Sequence, residues 1–267
     1  DCFVVIDEQP GPITQRIAKV DAATGAGPQV GTSLAGAEFT CVSQSTPGWT
    51  HTLTTDEDGR ATLTDIPLGT FTIYESKAPE GYLPSDETWS YTVGADQLGD
   101  MGVVELESRI PDIPIAFDLE ISKFKDYGKS DESGIEQPAD GVVFEVVSNS
   151  SQQVVGTLSS NIYGFASTKD LTKAWFGVGE RPDGVHGTIP YDRAGYTVRE
   201  VANTVPEGFK QTGEWTITAE QIADGAELQY IVDNHALSTH LQIVKRDAQT
   251  GSPVPLAGFT FQLLDSN

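Results

Sequence analysis

The sequence predicts an all-β protein made of tandem β-sandwich domains, and three observations support this fold class. The 267 residues include 27 Gly and 15 Pro, and the candidate strands between them are rich in Val, Ile and Thr. Several short segments alternate apolar and polar residues, which is typical of half-buried strands. Similar motifs recur, with Lys19, Lys123 and Lys245 standing 104 and 122 residues apart. That spacing suits small β-sandwiches and is too long for a solenoid repeat.

The composition excludes several classes of partner. The net charge of −23 and the pI of about 4.3 argue against binding to nucleic acid or to anionic membranes. A hydrophobic content of 38% is sufficient for packed cores, so we do not expect disorder. No apolar run is long enough to predict a transmembrane helix. Because the sequence has neither an initiator Met nor a signal peptide, we interpret it as an excerpt whose export and anchoring signals lie outside it.

The repeat defines a domain prediction. Three segments with a central Lys align, and each is followed by a polar loop and a strand that starts with small residues. The Lys segments are 16–21, 120–126 and 242–247, and the following strand starts are 34–39, 139–144 and 256–261. We predict that 1–12 close a preceding domain, 13–112 form a first sandwich, 113–236 form a second with an insertion at 169–192, and 237–267 open a third.

Each complete repeat continues with a turn and a carboxylate-bearing strand. The turn at 56–59 precedes an alternating strand and predicts a hairpin. An EF-hand would need Glu where Pro67 stands, so we predict no metal site and no cofactor. On the next strand, Glu75 shares the parity of apolar residues, as does Glu200 in the second repeat, which places both carboxylates on a core face. A Pro-Glu-Gly-aromatic turn follows each strand, at 79–82 and 206–209.

Two further polar residues stand where apolar ones are expected. Tyr230, Val232 and Asn234 share one face of a predicted closing strand, and Leu241, Ile243 and Lys245 share one face of a predicted opening strand. Burying Lys or Asn is costly unless the group is paired. The sequence therefore places a core-facing Lys at the start of each repeat and a core-facing Asn at the end of the second.

Taken together and in this order, the motifs resemble those of collagen-adhesin B-type repeat domains, also called SpaA-like or prealbumin-like domains, of Gram-positive surface proteins and pilins. The resemblance covers nearly the whole chain. It implies tandem immunoglobulin-like (prealbumin-like) β-sandwich domains of seven strands. It also implies that a domain forms its own Lys–Asn isopeptide bond.

In the second repeat the resemblance assigns Lys123 as nucleophile, Asn234 as acceptor and Glu200 as proton shuttle. We choose Lys123 over Lys125 because its segment aligns with those of the other two lysines. Burial lowers the pKa of a lysine and raises that of a glutamate, which makes the amine nucleophilic and the carboxyl able to donate a proton. The alternative is a buried Lys–Glu salt bridge beside a hydrogen-bonded Asn.

The other repeats are less complete. Lys19 and Glu75 match, but the 34-residue step from Glu200 to Asn234, taken from Glu75, reaches Arg109. Either Asp112 is the acceptor, with water as the leaving group, or the first domain lacks the bond, which the spacing favours. The third repeat has Lys245, and its Glu and Asn would lie beyond residue 267.

Two cysteines permit one disulfide, which would contribute about 4 kcal/mol in the chain-entropy model. Cys41 occupies a position that is apolar in the other repeats, so we interpret it as a core thiol. Cys2 lies in the predicted closing strand of a preceding domain, where any partner of its own would lie.

These observations favour a structural stalk or pilin-type segment of an extracellular, cell-wall-anchored protein. It is no enzyme beyond one self-directed turnover per domain, and its partners are the neighbouring domains of the same chain. The alternative is an adhesin module that uses 169–192 to bind a host extracellular-matrix protein or glycan, which exposed aromatic residues there would favour. A hydrolase is disfavoured, because the histidines are too scattered for a triad or metal motif: His51, His186, His235 and His240.

Overall fold

The computed structural model describes residues 11–98, 104–128, 136–171, 173–239 and 241–264. Cys2, His240 and most of the predicted closing strand at 1–12 lie outside these ranges. The first strands are β1 (Gly11–Asp21), β2 (Glu38–Ser43), β3 (Thr50–Thr54), β4 (Arg60–Asp65), β5 (Gly69–Lys77), β6 (Thr88–Val93) and β7 (Val104–Asp112). The predicted all-β fold is confirmed, with short 3-10 helices as the described helical elements: Ala95–Gln97, Thr168–Asp170, Ala202–Thr204 and Ala219–Gln221.

The remaining strands follow the same plan with additions. They are β8 (Ala116–Asp126), β9 (Gln137–Pro138), β10 (Val143–Ser148), β11 (Val154–Ser159), β12 (Phe165–Ser167), β13 (Ala174–Trp175), β14 (Gly179–Glu180), β15 (Ile189–Pro190), β16 (Tyr196–Glu200), β17 (Trp215–Ile217) and β18 (Ala226–His235).

Strands β1–β7 form what we call the first sandwich. One sheet has the order β4-β1-β7 and the other β3-β2-β5-β6. The first and last strands, β1 and β7, lie side by side and run parallel. Alternating residues of both sheets fill the core, as on β5, where Phe71, Ile73 and Glu75 are buried while Tyr74 and Ser76 are exposed.

Strands β8–β18 form the second sandwich, with its own core. One sheet has the order β11-β10-β16-β17, and in the other β8 pairs in parallel with β18. The opposite edge of β8 pairs in succession with β15, β12 and β9. Strands β8, β10, β11, β12, β16, β17 and β18 thus repeat the pairing of β1–β7. The additions β13, β14 and β15 lie between β12 and β16, in the predicted insertion at 169–192.

The hairpin prediction for 56–59 is wrong in its pairing, although the turn itself forms. The amide of Asp56 donates to Arg60 O at 2.9 Å, and Gly59 takes φ +71°. However, β3 pairs with β2 whereas β4 pairs with β1, so the turn carries the chain from one sheet to the other. The turn at Asn161–Gly164 makes the same change of sheet between β11 and β12.

The segment 237–264 is a separate unit of the chain. The strand predicted around Lys245 does not form among its described residues. Its apolar side chains remain in solvent, with Ile243 49% and Phe261 52% exposed. Alternation alone cannot make a strand, because its backbone groups need a hydrogen-bonded neighbour and its apolar face needs a partner sheet. A third domain at 237–267 stays a prediction.

The two sandwiches are joined by a short connection that is hydrogen-bonded to both. Leu83 N donates to Ile113 O at 2.9 Å, and Ile115 N donates to Gly81 O at 2.8 Å. Tyr191, from the insertion, donates from its backbone to Ile115 O at 2.9 Å. The Pro-Glu-Gly-Tyr turn of the first sandwich therefore holds the chain where it enters the second.

Candidate functional site

A buried lysine, glutamate and asparagine meet between the two sheets of the second sandwich. Lys123 lies on β8 and Asn234 on the parallel strand β18, where Val232 is opposite Lys123 and Asn234 stands two residues further along. Glu200 projects from β16 in the other sheet, opposite Phe144 on β10. Lys123 and Asn234 are fully buried and Glu200 is 2% exposed. The predicted core-facing parity of these residues agrees with the structure.

The three side chains are in direct contact. Lys123 Nζ lies 2.9 Å from Glu200 Oε1. Asn234 Nδ2 donates to both carboxylate oxygens of Glu200, at 3.1 and 2.9 Å. Asn234 Oδ1 accepts no hydrogen bond from the described residues. One carboxyl group therefore touches both the amine and the carboxamide nitrogen, as a group that transfers a proton between them must.

Burial changes the acidity of the amine. Removing Lys123 from water disfavours its charged form and lowers its pKa from the ordinary value, although the nearby carboxylates Glu200 and Asp233 act in the opposite direction. The lowered pKa increases the fraction of neutral amine, which is the nucleophilic form.

The first sandwich contains the same arrangement with a carboxyl group in place of the carboxamide. Lys19 Nζ lies 2.9 Å from Glu75 Oε1 and also contacts Asp112 Oδ1. The side chains of all three residues are fully buried. Burial raises the pKa of Asp112 to about 7, while Lys19 opposes the shift and Glu75 adds to it. The structure thus brings Asp112 to the lysine that the sequence left without a definite acceptor.

The register explains why Asp112 corresponds to Asn234. Lys19 is opposite Ile110 on β7, so Asp112 stands two residues further along, as Asn234 does relative to Lys123. Glu75 is opposite Phe39, as Glu200 is opposite Phe144. The step from Glu to acceptor is 37 residues in the first sandwich and 34 in the second. Three additional residues between the strands account for the mismatch.

Turn glycines fix the backbone of both lysines. Lys19 N donates to Gly59 O at 2.8 Å and Lys123 N donates to Gly164 O at 2.6 Å. Both glycines have positive φ, +71° and +73°, and a Cβ on Gly164 would lie 2.3 Å from Lys123 O. The turns between the sheets therefore depend on glycine and position the strand residue that carries the amine.

Sequence reasoning missed Thr212. Its amide donates to Glu200 Oε2 at 2.9 Å, and its hydroxyl accepts from Lys123 Nζ and Asn234 Nδ2, both at 3.2 Å. In the first sandwich, Ser85 N donates to Glu75 Oε2 at 2.8 Å. Ser85 and Thr212 each stand three residues after the aromatic residue of the Pro-Glu-Gly-aromatic turn. A hydroxyl residue at this shared spacing was the signal available in the sequence.

The remaining predicted site residues lie elsewhere. Lys245 belongs to 237–264, is exposed, and lies 5.2 Å from the ring centre of Phe259. Cys41 is fully buried in the core of the first sandwich, where burial raises the pKa of its thiol to about 11. Its pairing with Cys2 lies outside the described residues. Within the described ranges, no cluster of three His, Cys, Asp or Glu side chains could hold a metal ion.

The insertion packs against its own sandwich and against the first. Trp175 and Phe176 are 2% and 6% exposed. Trp175 packs with Ala116, Val185 and Ala23, the last of which follows β1. Tyr191 Oη donates to Glu80 Oε1 at 2.6 Å, an arrangement that, with burial, raises the pKa of Tyr191 to about 12.

The fold and site define a β-sandwich class in which the first and last strands are parallel neighbours that carry a buried lysine and its carboxyl or carboxamide partner. The family model described as the SpaA prealbumin-like fold domain matches residues 15–106. This stretch of the first sandwich is therefore a SpaA-type prealbumin-like domain. The sequence matches no curated protein. In the described part of the chain, no helix is long and apolar enough to cross a membrane.

Solved structures of similar fold come from Gram-positive bacteria. The Bacillus anthracis TIE protein is 19% identical with a TM-score of 0.55, over 84% of this chain and 34% of that one. A C-terminal fragment of the pilus adhesin SpaC from Lactobacillus rhamnosus GG is 14% identical with a TM-score of 0.49, over 86% and 99%. The minor pilin GBS52 of Streptococcus agalactiae is 14% identical with a TM-score of 0.35, over 87% and 99%. The chain thus spans about a third of the TIE protein, whose likeness supports the β-sandwich fold.

Proposed function

We propose that the chain is a structural stalk or pilin-type segment of a cell-wall-anchored surface protein, held by two autocatalytic isopeptide bonds. One bond joins Lys123 to Asn234 and the other joins Lys19 to Asp112. The observation that carries the proposal is the shared geometry: each lysine is buried, contacts a glutamate, and has its acceptor two residues beyond the opposing residue of a parallel strand.

The chemistry needs no group from outside the chain. Lys123 gives a proton to Glu200, and the neutral amine attacks Cγ of Asn234. A new carbon–nitrogen bond forms, the bond from Cγ to Nδ2 breaks, and the departing nitrogen takes the proton back from Glu200 and leaves as ammonia. In the first sandwich Glu75 acts in the same way and water leaves from Asp112. Holding the reactants on adjacent strands removes the entropic cost of bringing them together.

A bond between the first and last strands suits a protein under tension. In the second sandwich it closes a loop of more than a hundred residues, which corresponds to about 4–5 kcal/mol in the chain-entropy model used for disulfides. Because each sandwich is entered through its first strand and left through its last, force along the chain passes through the covalent link. The hydrogen-bonded strands between them are then protected from unzipping.

The mass of the intact folded chain tests this proposal. Loss of one ammonia and one water predicts a deficit of about 35 Da, of which about 17 Da belongs to the second sandwich and about 18 Da to the first. Peptide mapping should recover branched peptides that join β1 to β7 and β8 to β18. An unshifted mass in the folded chain would leave the buried salt bridge as the correct description of both sites.

The adhesin alternative loses its main support. It required exposed aromatic side chains in the insertion, whereas Trp175, Phe176 and Tyr191 are buried. The insertion instead contacts the first sandwich, through Tyr191 and Glu80 and through Arg193 N, which donates to Gly31 O at 2.9 Å. We interpret it as a brace that keeps the two sandwiches from bending about residues 113–115, which is a function a stalk requires.

Two equivalent glycines allow the brace to be tested. Gly81 and Gly208 occupy the same turn position with φ +89° and +82°, but a Cβ would lie 2.7 Å from Tyr191 Cδ1 only at Gly81, whereas Gly208 has nothing within 4 Å. Gly81→Ala and Gly208→Ala should each cost about 1–2 kcal/mol in backbone strain. Only Gly81→Ala should speed limited proteolysis at 113–115 severalfold; equal cleavage of the two variants would argue against the brace.

A further inference from the structure

The structure holds a second set of groups around the reacting atoms of the second sandwich, and they surround the nitrogen that would leave. Asn234 Nδ2 has two hydrogens, yet four oxygens lie within 3.2 Å of it. Two belong to Glu200, at 3.1 and 2.9 Å, and the third is Lys210 O, at 3.0 Å. The fourth is Thr212 Oγ1, at 3.2 Å. A carboxamide nitrogen cannot donate to all four at once.

Ammonia has three hydrogens and ammonium has four, so the acceptors fit the departing group better than they fit the carboxamide. Catalysis depends on this kind of difference, in which the site binds the altered state more strongly than the starting one. We propose, on the basis of the isopeptide chemistry proposed above, that Thr212 Oγ1 and Lys210 O form with Glu200 a site that receives the leaving ammonia, and that Thr212 is a catalytic residue.

The hydroxyl of Thr212 is oriented for this function. It donates its hydrogen to Asp233 O at 2.6 Å, which leaves its lone pairs for the two reacting nitrogens. Lys123 Nζ and Asn234 Nδ2 both lie 3.2 Å from it. The hydroxyl therefore contacts the nitrogen that enters and the nitrogen that leaves, and it takes no proton from either.

A route to solvent begins at the same residues. A cavity of about 430 Å³ is lined by Lys210, Thr212, Asp233 and His235, together with Gln211 and Gly213. Lys210 and His235 are exposed, so the cavity opens to water. Asp233 Oδ1 accepts no hydrogen bond from the described residues and gives a departing ammonium an acceptor on the way out.

The first sandwich lacks this set, as its chemistry predicts. Neither carboxyl oxygen of Asp112 has a hydrogen-bond partner in the described part of the chain beyond its ion pair with Lys19. Ser85 donates its amide to Glu75 as Thr212 does to Glu200, but its hydroxyl accepts from Glu87 N at 3.2 Å. Acceptors around Asp112 would repel a carboxylate oxygen, and the leaving group there is water.

The test is the rate at which the full chain gains the second bond. Chains made in a short pulse of cell-free translation are chased, quenched in denaturant and weighed, and peptide mapping assigns the loss of about 17 Da to β8 and β18. Thr212→Val, which keeps the shape and removes the hydroxyl, should slow this loss by about tenfold or more. Thr212→Ser should stay near the unaltered rate, as should Thr157→Val, an exposed threonine on β11.

The outcomes separate this inference from the one it rests on. If the unaltered chain never loses ammonia, the isopeptide proposal fails. If it does and Thr212→Val keeps pace with it, the ammonia site is wrong. If Thr212→Ser is as slow as Thr212→Val, the hydroxyl is not the cause and the inference is also overturned. A slow Thr212→Val variant with a fast Thr212→Ser variant supports it.

Discussion

Replacing Glu200 with alanine is expected to abolish the second bond and to destabilise the second sandwich more than any other single change considered. The mass deficit of the chain should fall from about 35 to about 18 Da, because Lys123 loses its proton acceptor and Asn234 its proton donor. The free energy of unfolding should fall by roughly 4–5 kcal/mol for the lost link, with more for a buried amine left without its carboxylate.

Two companion variants divide that loss into its parts. Lys123→Met also prevents the bond but leaves no unpaired buried charge, so its loss of stability should be smaller than that of Glu200→Ala. Glu145→Ala removes a partly exposed carboxylate that pairs with Arg199 on the same sheet, and it should keep the full deficit. Denaturant unfolding with intact-mass measurement checks all three. A Glu200→Ala chain that still lacks ammonia would remove Glu200 from the mechanism.

The faces of the strands were predictable from the sequence, because side-chain direction in a strand depends only on parity. Lys123, Glu200 and Asn234 each break an apolar pattern of period two, and each is buried as that parity requires. Their meeting at one point also followed, once the repeat showed that Lys and Asn open and close the same domain. Local pattern and repeat together were sufficient for the second site.

The first acceptor was not predictable by counting, because parallel register is set by the packing of sheets and not by the length of the intervening chain. Three additional residues between Glu75 and Asp112 moved the acceptor beyond the expected position without changing its place in the sheet. The sheet change at 56–59 escaped for a related reason. The same turn residues can join paired strands or strands of different sheets, and only tertiary packing decides between them.

Thr212 shows a different limit. It lies in a connection outside the strands, so no periodicity marks it, and its importance comes from atoms that the fold brings together. The strand predicted at 242–247 shows the converse, since a clear alternation produced no strand among the described residues of that segment. Patterns state what a segment can bury, and neighbouring strands decide whether it does.

The first bond is expected to form fastest below about pH 7 and to slow by about tenfold for each further pH unit, whereas the second should form at a nearly constant rate from pH 5 to 8. Burial raises the pKa of Asp112 to about 7. The reactive form contains a neutral Lys19, a protonated Glu75 and a protonated Asp112. It holds as many protons as the form in which Lys19 and Glu75 are charged and Asp112 is protonated.

The sign follows from that proton count. Above pH 7 Asp112 loses its proton, and a carboxylate is a poor acceptor for an amine because its carbon is shielded by negative charge. In the second sandwich, passing a proton from Lys123 to Glu200 reaches the reactive form without exchange with solvent, so the rate does not depend on pH. The same pulse, chase and weighing at several pH values measures both bonds in one chain.

Asp112→Asn is the matched control for this difference. It turns the first acceptor into a carboxamide, so the loss should change from about 18 to about 17 Da and the fall in rate above pH 7 should disappear. A first bond that forms faster as the pH rises from 6 to 9 would contradict the scheme, because it would mean that release of a proton from Lys19 to solvent limits the reaction. The acceptor residue alone would then not explain why one fold carries out the reaction with either leaving group.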